Sequence, residues 1–299
     1  MKLFNTKSKT LNRIITGYAF LGPNIIGFCI FTFFPVIASF MLAFTEWDIL
    51  TPIKFVGLNN FIRLVQDRDF WYYLYNTLFF MLAIPINMCV SLAMAMLLNQ
   101  KLKGIVIFRT IYFMPVVSSM VAVALVWRWI YNSDFGLLNS FLHWIGIKTP
   151  PQWLSSTIWS KPALMIVSIW QGTGYNMLLY LAALQGIPQE LYEAASIDGA
   201  SWWDSFKNVT WPMLSFVNFF IIITSIISGF QAFGVQYVMT EGGPAGSTTT
   251  IVYYIYNNAF QWFKMGYASS IAWVLFIMMF GVTLIQWKAM EKKTHIFYQ

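Results

Sequence analysis

Six stretches of this chain, near residues 18–44, 73–99, 107–130, 162–186, 213–237 and 265–287, are apolar for about the 20 residues that a bilayer crossing takes. That pattern constrains the fold more than any other feature. Inside hydrocarbon no water is present to satisfy backbone N–H and C=O groups, so a chain that crosses repeatedly must satisfy them within helices or a closed barrel. Continuous apolar runs, without strict polar alternation, select helices. The expected fold class is therefore an all-α membrane protein with six transmembrane helices. Charge is scarce to match: 10% of the 299 residues are charged, against about 25% in a soluble domain.

The basic residues fall into small groups beside the apolar runs. With the N-terminus inside, Lys2, Lys7, Lys9, Arg13, Lys101, Lys103, Arg109, Lys207, Lys288, Lys292 and Lys293 face the cytoplasm, 11 of the 18 basic residues. Lys54, Arg63, Arg68, Arg128, Lys148, Lys161 and Lys264 lie outside. The bias favours both termini cytoplasmic. The basic start resembles a signal peptide, but its apolar run is too long for a cleaved one, so an uncleaved first helix is expected. No basic stripe with interleaved aromatics lies outside the spans, which argues against nucleic acid. Cys29 and Cys89 read as small buried hydrophobes. His143 and His295 are isolated, and no metal-ligand spacing, cofactor motif or catalytic constellation is present, so no metal, no cofactor and no enzyme activity are expected.

One loop between spans is unusually elaborate. Pro188 suits the first position of a short helix, and Gly199 can end it in the left-handed conformation. Ser201, three residues before Asp204, is a candidate N-cap for a second helix, and Pro212 stands where the next long helix would begin. The orientation places this loop in the cytoplasm.

Glu193-Ala194-Ala195, three residues, Gly199, then Val209 and Trp211-Pro212 resemble the EAA loop of permease subunits in ABC importers. Trp211 stands where the family usually has Leu. Phe108-Arg109 with Pro115, Trp170 with Gly172, the run from Ala183 to Pro188, and the run from Phe55 to Phe61 add to the match. So do Thr240 with Gly242-Gly243-Pro244, and Tyr253 with Ile255-Tyr256. Together they are similar to the carbohydrate branch, most of all the subunit type related to the larger maltose permease.

The resemblance implies a type I ABC importer permease fold and a bacterial inner-membrane, multi-pass location. It implies a core transmembrane domain over 73–287, with a coupling loop at 187–212. Before the core come a 1–17 cytoplasmic segment and a first helix at 18–44; after it comes a 288–299 tail. The implied partners are a second permease subunit, two ATP-binding cassette subunits, an extracytoplasmic solute-binding protein and a sugar. The chain itself contains no GxxxxGK[ST] phosphate loop. The resemblance assigns ATPase coupling to Glu193, Ala194, Ala195, Asp198 and Gly199. Glu193 also reads as a solvated helix acid, and Asp198 as a cap of the Gly199 turn. Trp202 and Trp203 suit either the membrane interface or a partner.

For the solute, polar residues recur at helical spacing on two spans: Ser168, Gln171, Gly172 and Tyr175 on the fourth, and Ser225, Ser228 and Gln231 on the fifth. Intramembrane polar groups face the protein interior or a wet cavity, and hydroxyls, amides and a ring suit a neutral sugar. The same residues also suit interhelical hydrogen bonding. The first set aligns with sugar-contacting positions of the maltose-type subunit and the second set partly does, whereas Gly229 replaces a polar family position. An importer of another small solute is a second possibility, although a charged solute would call for charged residues on these faces. A standalone secondary transporter is a third, but no Asp or Glu lies within a span to carry a coupling ion.

Overall fold

The computed structural model describes residues 3–100 and 103–297. Lys2 and Lys101 of the charge count lie outside the described residues, as do the side chains of Lys7, Lys9, Lys292 and Lys293. Among the described residues the regular structure is helical apart from a short hairpin, Thr45–Glu46 against Lys54–Phe55. Three helical stretches among the described residues are long and apolar enough to cross a membrane: Ile15–Leu42, Arg68–Leu98 and Met265–Glu291. Two bent pairs reach that length only together. Ser160–Gln185, where the fourth span is expected, has 26 residues, about 39 Å at 1.5 Å per residue, but its middle is polar.

The expected third and fifth spans are broken. Ile105–Val117 and Met120–Ile130 meet at 98°, so neither piece alone spans the hydrocarbon. The break is at Ser118 and Ser119, both in extended conformation, just past Pro115, whose missing N–H weakens the last turn. The fifth, expected over 213–237, is Trp202–Met213 followed at 63° by Ser215–Phe230. It stops at Phe230, and a separate helix restarts at Gly234–Thr240.

Two prolines sit inside continuing helix, although a 63° bend follows Pro212 at Leu214. Pro35 and Pro212 each follow a π-helical segment, Cys29–Phe33 and Phe206–Thr210. A proline inside a helix cannot donate to the carbonyl four residues back and crowds it. The wider π turn just before it shifts the register where that bond is lost.

The chain forms two compact units, one comprising residues up to Gln66 with Ile255–Val274, the other Asp67–Tyr254 with the residues from Leu275. In the second, Ser160–Gln185 is the central helix. Ala163, Leu164 and Val167 near its start pack with Phe80, Val123, Ala124, Tyr131 and Met239. Met177, Tyr180, Leu181 and Leu184 near its end pack with Leu92, Ala95, Leu98, Leu214 and Ile221.

Between these apolar ends the helix is held by hydrogen bonds. Asn87 on Ala83–Leu98 donates from Nδ2 to the Ile169 carbonyl at 2.9 Å and to Thr173 Oγ1 at 3.3 Å. Its Oδ1 accepts from Asn176 Nδ2 at 2.6 Å, and Ser91 Oγ donates to the Thr173 carbonyl at 3.2 Å. Gly172 lets Asn87 approach, since a Cβ there would lie 3.3 Å from Asn87 Nδ2. On another side, Gly174 rests against the Tyr112 backbone carbonyl.

The run Thr240–Thr250 is a second polar clasp, in the same unit. Thr240 and Thr248 hydroxyls lie 2.7 Å apart, and Thr248 and Thr249 donate to the Gly243 and Gly242 carbonyls at 2.8 and 3.0 Å. Asn76 Nδ2 donates to the carbonyls of Gly246 and Thr249 at 2.9 and 3.0 Å, and Thr77 Oγ1 accepts from Ile251 N–H at 2.9 Å. The turn expected at Gly242-Gly243-Pro244 is thus part of a segment held by its own threonines and by Asn76 and Thr77, with Ser247–Thr250 buried.

Gly174→Ala places a Cβ against the Tyr112 carbonyl and 2.9 Å from Val116 Cγ2. Overpacking of this kind costs about 1–3 kcal/mol, so the variant is expected to unfold at a lower temperature in detergent. Gly281→Ala, with nothing within 4 Å, is expected to match the parent in the same melt.

Candidate functional site

The loop that joins Ser160–Gln185 to Ser215–Phe230 is two helices set at a fixed angle. Pro188 serves as N-cap rather than first helical residue, and Gln189–Ile197 follows. Gly199 ends that helix at φ +75°, as its sequence position requires. Ala200 N–H bonds the Ala195 carbonyl at 2.9 Å and Gly199 N–H bonds that of Ser196 at 3.1 Å. These are the paired bonds of a Schellman terminator. Asp198 is the C-cap; its N–H bonds the Ala194 carbonyl at 3.0 Å.

Ser201 then opens the second helix with a full capping box. Asp204 N–H donates to Ser201 Oγ at 3.2 Å, and Ser201 N–H donates to Asp204 Oδ2 at 3.0 Å. The Ser201 hydroxyl also donates to that carboxylate, at 2.5 Å. These bonds from Ser201, its side chain first, hold the Asp204 carboxyl below its ordinary 3.8. The helix does not stop after one turn. It continues through the π segment to Met213, so Pro212 lies inside it, and the bend into the membrane comes at Leu214.

One side of the loop is anchored. Tyr192 and Thr210 hydroxyls lie 2.9 Å apart, tying the two helices together. Tyr192, Phe206 and Val209 pack on the cluster that holds Leu184, Ile187 and Leu214. The other side is bare. Glu193, Ala194, Asp198 and Gly199 are exposed, Ala195 is half-buried, and Ile197 is 86% exposed. Trp202 stacks on Phe206 at 5.8 Å and an interplanar angle of 11°, and Trp203 stacks on the same ring at 5.4 Å. Both indoles remain mostly exposed. The anomalous Trp211 has its ring 6.2 Å from Phe206, as part of this aromatic row.

The solute-path candidates divide. Ser168 Oγ donates to its own helix at Leu164 O, 3.0 Å. Gly172 belongs to the Asn87 contact. Gln171 is half-buried and Tyr175 47% exposed; Ser225 is half-buried, and Ser228 and Gln231 are exposed. Among the described residues none of these last five has a side-chain hydrogen bond. Gln231 is the C-cap of its helix, not part of the helical face. Gly229 packs on Met81, where a Cβ would lie 3.1 Å from Cγ. Among the described residues no group of three or more His, Cys, Asp or Glu is placed to hold a metal.

Sequence reasoning missed the residues that hold the helices together: Asn87 and Ser91, Asn176, and Asn218, whose Oδ1 accepts from Tyr180 OH at 2.7 Å. The signal was there, since Asn87 and Ser91 are a polar i, i+4 pair inside an apolar run.

Comparison with known proteins follows the same lines. A family model described as "Binding-protein-dependent transport system inner membrane component" matches residues 87–290. The chain is 37% identical over 295 residues to a probable ABC transporter permease protein, YesP, of Bacillus subtilis, covering 97% of this chain and 95% of that one. It is 38% identical over 286 residues to the lactose transport system permease protein LacF of Rhizobium radiobacter, at 93% and 95% coverage. In fold it is similar to a chain of a crystallised bacterial ABC transporter involved in import of the acidic polysaccharide alginate, with a TM-score of 0.82, 24% identity, and 96% and 99% coverage.

Ser201→Ala removes an N-cap worth about 1 kcal/mol, so corrected amide exchange over Trp202–Met213 should speed up several-fold. Because the folded Asp204 value is depressed, its contribution is present above the unfolded value. It fades as pH falls through the folded one. Wild-type protection there should drop on acidification below the ordinary carboxylate range, whereas Asp204→Asn should respond weakly.

Proposed function

We propose a function on one premise: the chain belongs to the family of inner membrane components of binding-protein-dependent transport systems. It is a multi-pass membrane permease subunit of an ABC importer, a transport subunit and not an enzyme, and its solute is a sugar or oligosaccharide. The observation that carries the rest is the loop at 187–212: a rigid, two-helix element, anchored in the core on one side and bare on the other.

In this reading both termini are cytoplasmic, six spans cross the membrane, and the core domain runs over 73–287. Two ATP-binding cassette subunits dock on the exposed side of the loop and hydrolyse ATP. A second permease subunit completes the path, and an extracytoplasmic binding protein delivers the sugar. Glu193 presents a carboxylate to the ATPase surface. Ala194 and Ala195 keep the helix face low for close approach, and Asp198 and Gly199 fix the turn between the helices.

For the path, the division between bonded and unbonded polar groups supports Gln171 and Tyr175, with Ser225, Ser228 and Gln231 on the second helix. The glue between helices is supplied by Asn87, Ser91, Thr173 and Asn176, which leaves Gln171 and Tyr175 free for a solute. Their position in the middle of Ser160–Gln185 supports a site near the bilayer midplane, the level at which secondary transporters also hold their solutes. Amide, hydroxyl and ring without charge suit a neutral sugar, and the similarity to a lactose permease supports the same solute class. Ser168 and Gly172 line the same stretch but are engaged within the protein.

Glu193→Arg and Gly199→Pro are expected to leave membrane insertion intact while abolishing stimulation of ATP hydrolysis by sugar-loaded binding protein in the purified complex. A variant coupled like wild type would remove the role given to this loop. Gln171→Ala and Tyr175→Ala should lower sugar uptake at least several-fold with normal amounts of folded complex. Asn87→Ala should instead reduce the amount of folded protein, since it leaves buried partners unpaired.

A further inference from the structure

We propose that the helix Leu137–Trp144 lies in the membrane–water interface, with Leu137, Phe141, Trp144 and Ile145 set at the headgroup–acyl boundary of the leaflet in which Ser160–Gln185 begins. The inference rests on the chain being a membrane protein and not on the solute or on the loop at 187–212.

One side of this eight-residue helix is fastened to its own unit. Gly136, just before it, presses on the carbonyls of Ile130 and Asn132, where a Cβ would not fit. The helix therefore starts beside the end of Met120–Ile130. Leu138 packs on the cluster that holds Tyr131, Ala163 and Leu164. Asn139 is buried; its Nδ2 donates to the Ser133 carbonyl at 3.1 Å, and its Oδ1 accepts from Trp153 Nε1 at 2.7 Å. Trp153 stacks on Tyr131 at 5.6 Å, and Tyr131 OH donates to the Ala163 carbonyl at 3.2 Å. A Schellman turn closes the far end: Ile147 N–H bonds the Leu142 carbonyl at 2.9 Å, and Gly146 N–H bonds that of His143 at 3.0 Å.

The opposite side is apolar and bare. Leu137, Phe141 and Trp144 recur at i, i+4 and i+7, one helical face, and are 56%, 54% and 81% exposed. Ile145 follows on the same face, also exposed. The Phe141 and Trp144 rings lie 6.0 Å apart. His143 on the flank of the helix and Lys148 beyond its end are exposed.

The fastening fixes the depth. Ala163 and Leu164 belong to the first turns of Ser160–Gln185, which at about 39 Å is longer than the roughly 30 Å hydrocarbon core. Its start carries the residues that mark a span end. Trp159 meets Trp153 edge-on at 5.3 Å, and Lys161 Nζ lies 4.9 Å from the centre of the Tyr75 ring. Trp, Tyr and basic residues gather at the headgroup level, and the short helix is bonded to that level through Asn139, Trp153 and Tyr131.

Lipid is the occupant that fits both depth and charge. No Asp or Glu occurs between Asp134 and Glu190, and the charged residues in that stretch are Lys148 and Lys161. An aromatic and aliphatic face in basic, acid-free surroundings suits acyl chains below and phosphate groups above.

The test uses the full chain with the subunits that co-purify, reconstituted in nanodiscs, with Cys29 and Cys89 replaced by Ala. Single cysteines at 137, 141 and 145, and at 143 and 148, carry a nitroxide. At 137, 141 and 145, collision with molecular oxygen should exceed collision with a water-soluble nickel chelate several-fold, and at 143 and 148 the order should reverse. Free access of the chelate at 141 and 145 would show a water-facing surface and overturn the proposal. Shielding of both sites from both reagents would show a protein partner and overturn it equally.

Discussion

The structure turns on the cost of a polar group in a place without water. The middle of Ser160–Gln185 carries Ser168, Gln171, Thr173, Tyr175 and Asn176 within a helix whose two ends are buried in apolar clusters. Such groups must be paired or must face a wet space. Asn87 resolves half of the problem with three bonds across to this helix: two donated by its amide nitrogen, to the Ile169 carbonyl and Thr173, and one accepted from Asn176. Each interhelical bond of this kind contributes about 0.6–2 kcal/mol. Their larger effect is on register, because the amide of Asn87 cannot slide by a turn without abandoning all three. Gly172 and Gly174 follow from the same demand, since backbones have to come close for short side chains to reach.

The breaks obey a related rule. A helix can interrupt its ladder inside a membrane protein only where side chains or neighbouring backbone take up the freed groups. Ser118 and Ser119 stand at the 98° bend, and Ser118 Oγ donates back to the Met114 carbonyl at 2.9 Å. At the lower angle near Leu214 the ladder is re-registered, with the π segment widening the turn ahead of Pro212. Thr250 Oγ1 donates to Ala232 O beyond the end of Ser215–Phe230. Each interruption has a hydroxyl or a widened turn beside it.

Much of this was legible in the sequence where one residue suffices to force a conformation. Gly199 has to be left-handed to end its helix, and Ser201 with Asp204 is a capping box at its proper spacing; both are as expected. Apolar runs located the first, second and last long helices to within a few residues. The sequence was less informative where geometry depends on a distant partner. Nothing local to Ser118-Ser119 distinguishes a bend of 98° from a gentle kink, and Pro115, which is local, is tolerated in many straight spans. Asn87 was readable as a polar residue in an apolar run, but its partners lie 82 to 89 positions away. Hydropathy also joined 213–237 into one span, because the break after Phe230 is short, Gln231 to Phe233, and holds a single polar side chain.

The loop and the polar mid-section are mechanically one object. Tyr192 and Thr210 lock the two loop helices, and the cluster of Leu184, Ile187 and Leu214 welds them to the ends of Ser160–Gln185 and Ser215–Phe230. Those are the two helices that carry the unbonded polar side chains. In the proposed coupling role, the Schellman turn and the capping box would keep a displacement of the bare face around Glu193 from being absorbed within the loop. It would pass to Leu214, where the ladder is already bent, and to Tyr180 and Asn218, whose 2.7 Å bond joins the two helices about one to two turns from Tyr175 and Ser225. Rigid loops and weakened bends are complementary parts of such a device: the first delivers displacement and the second accepts it.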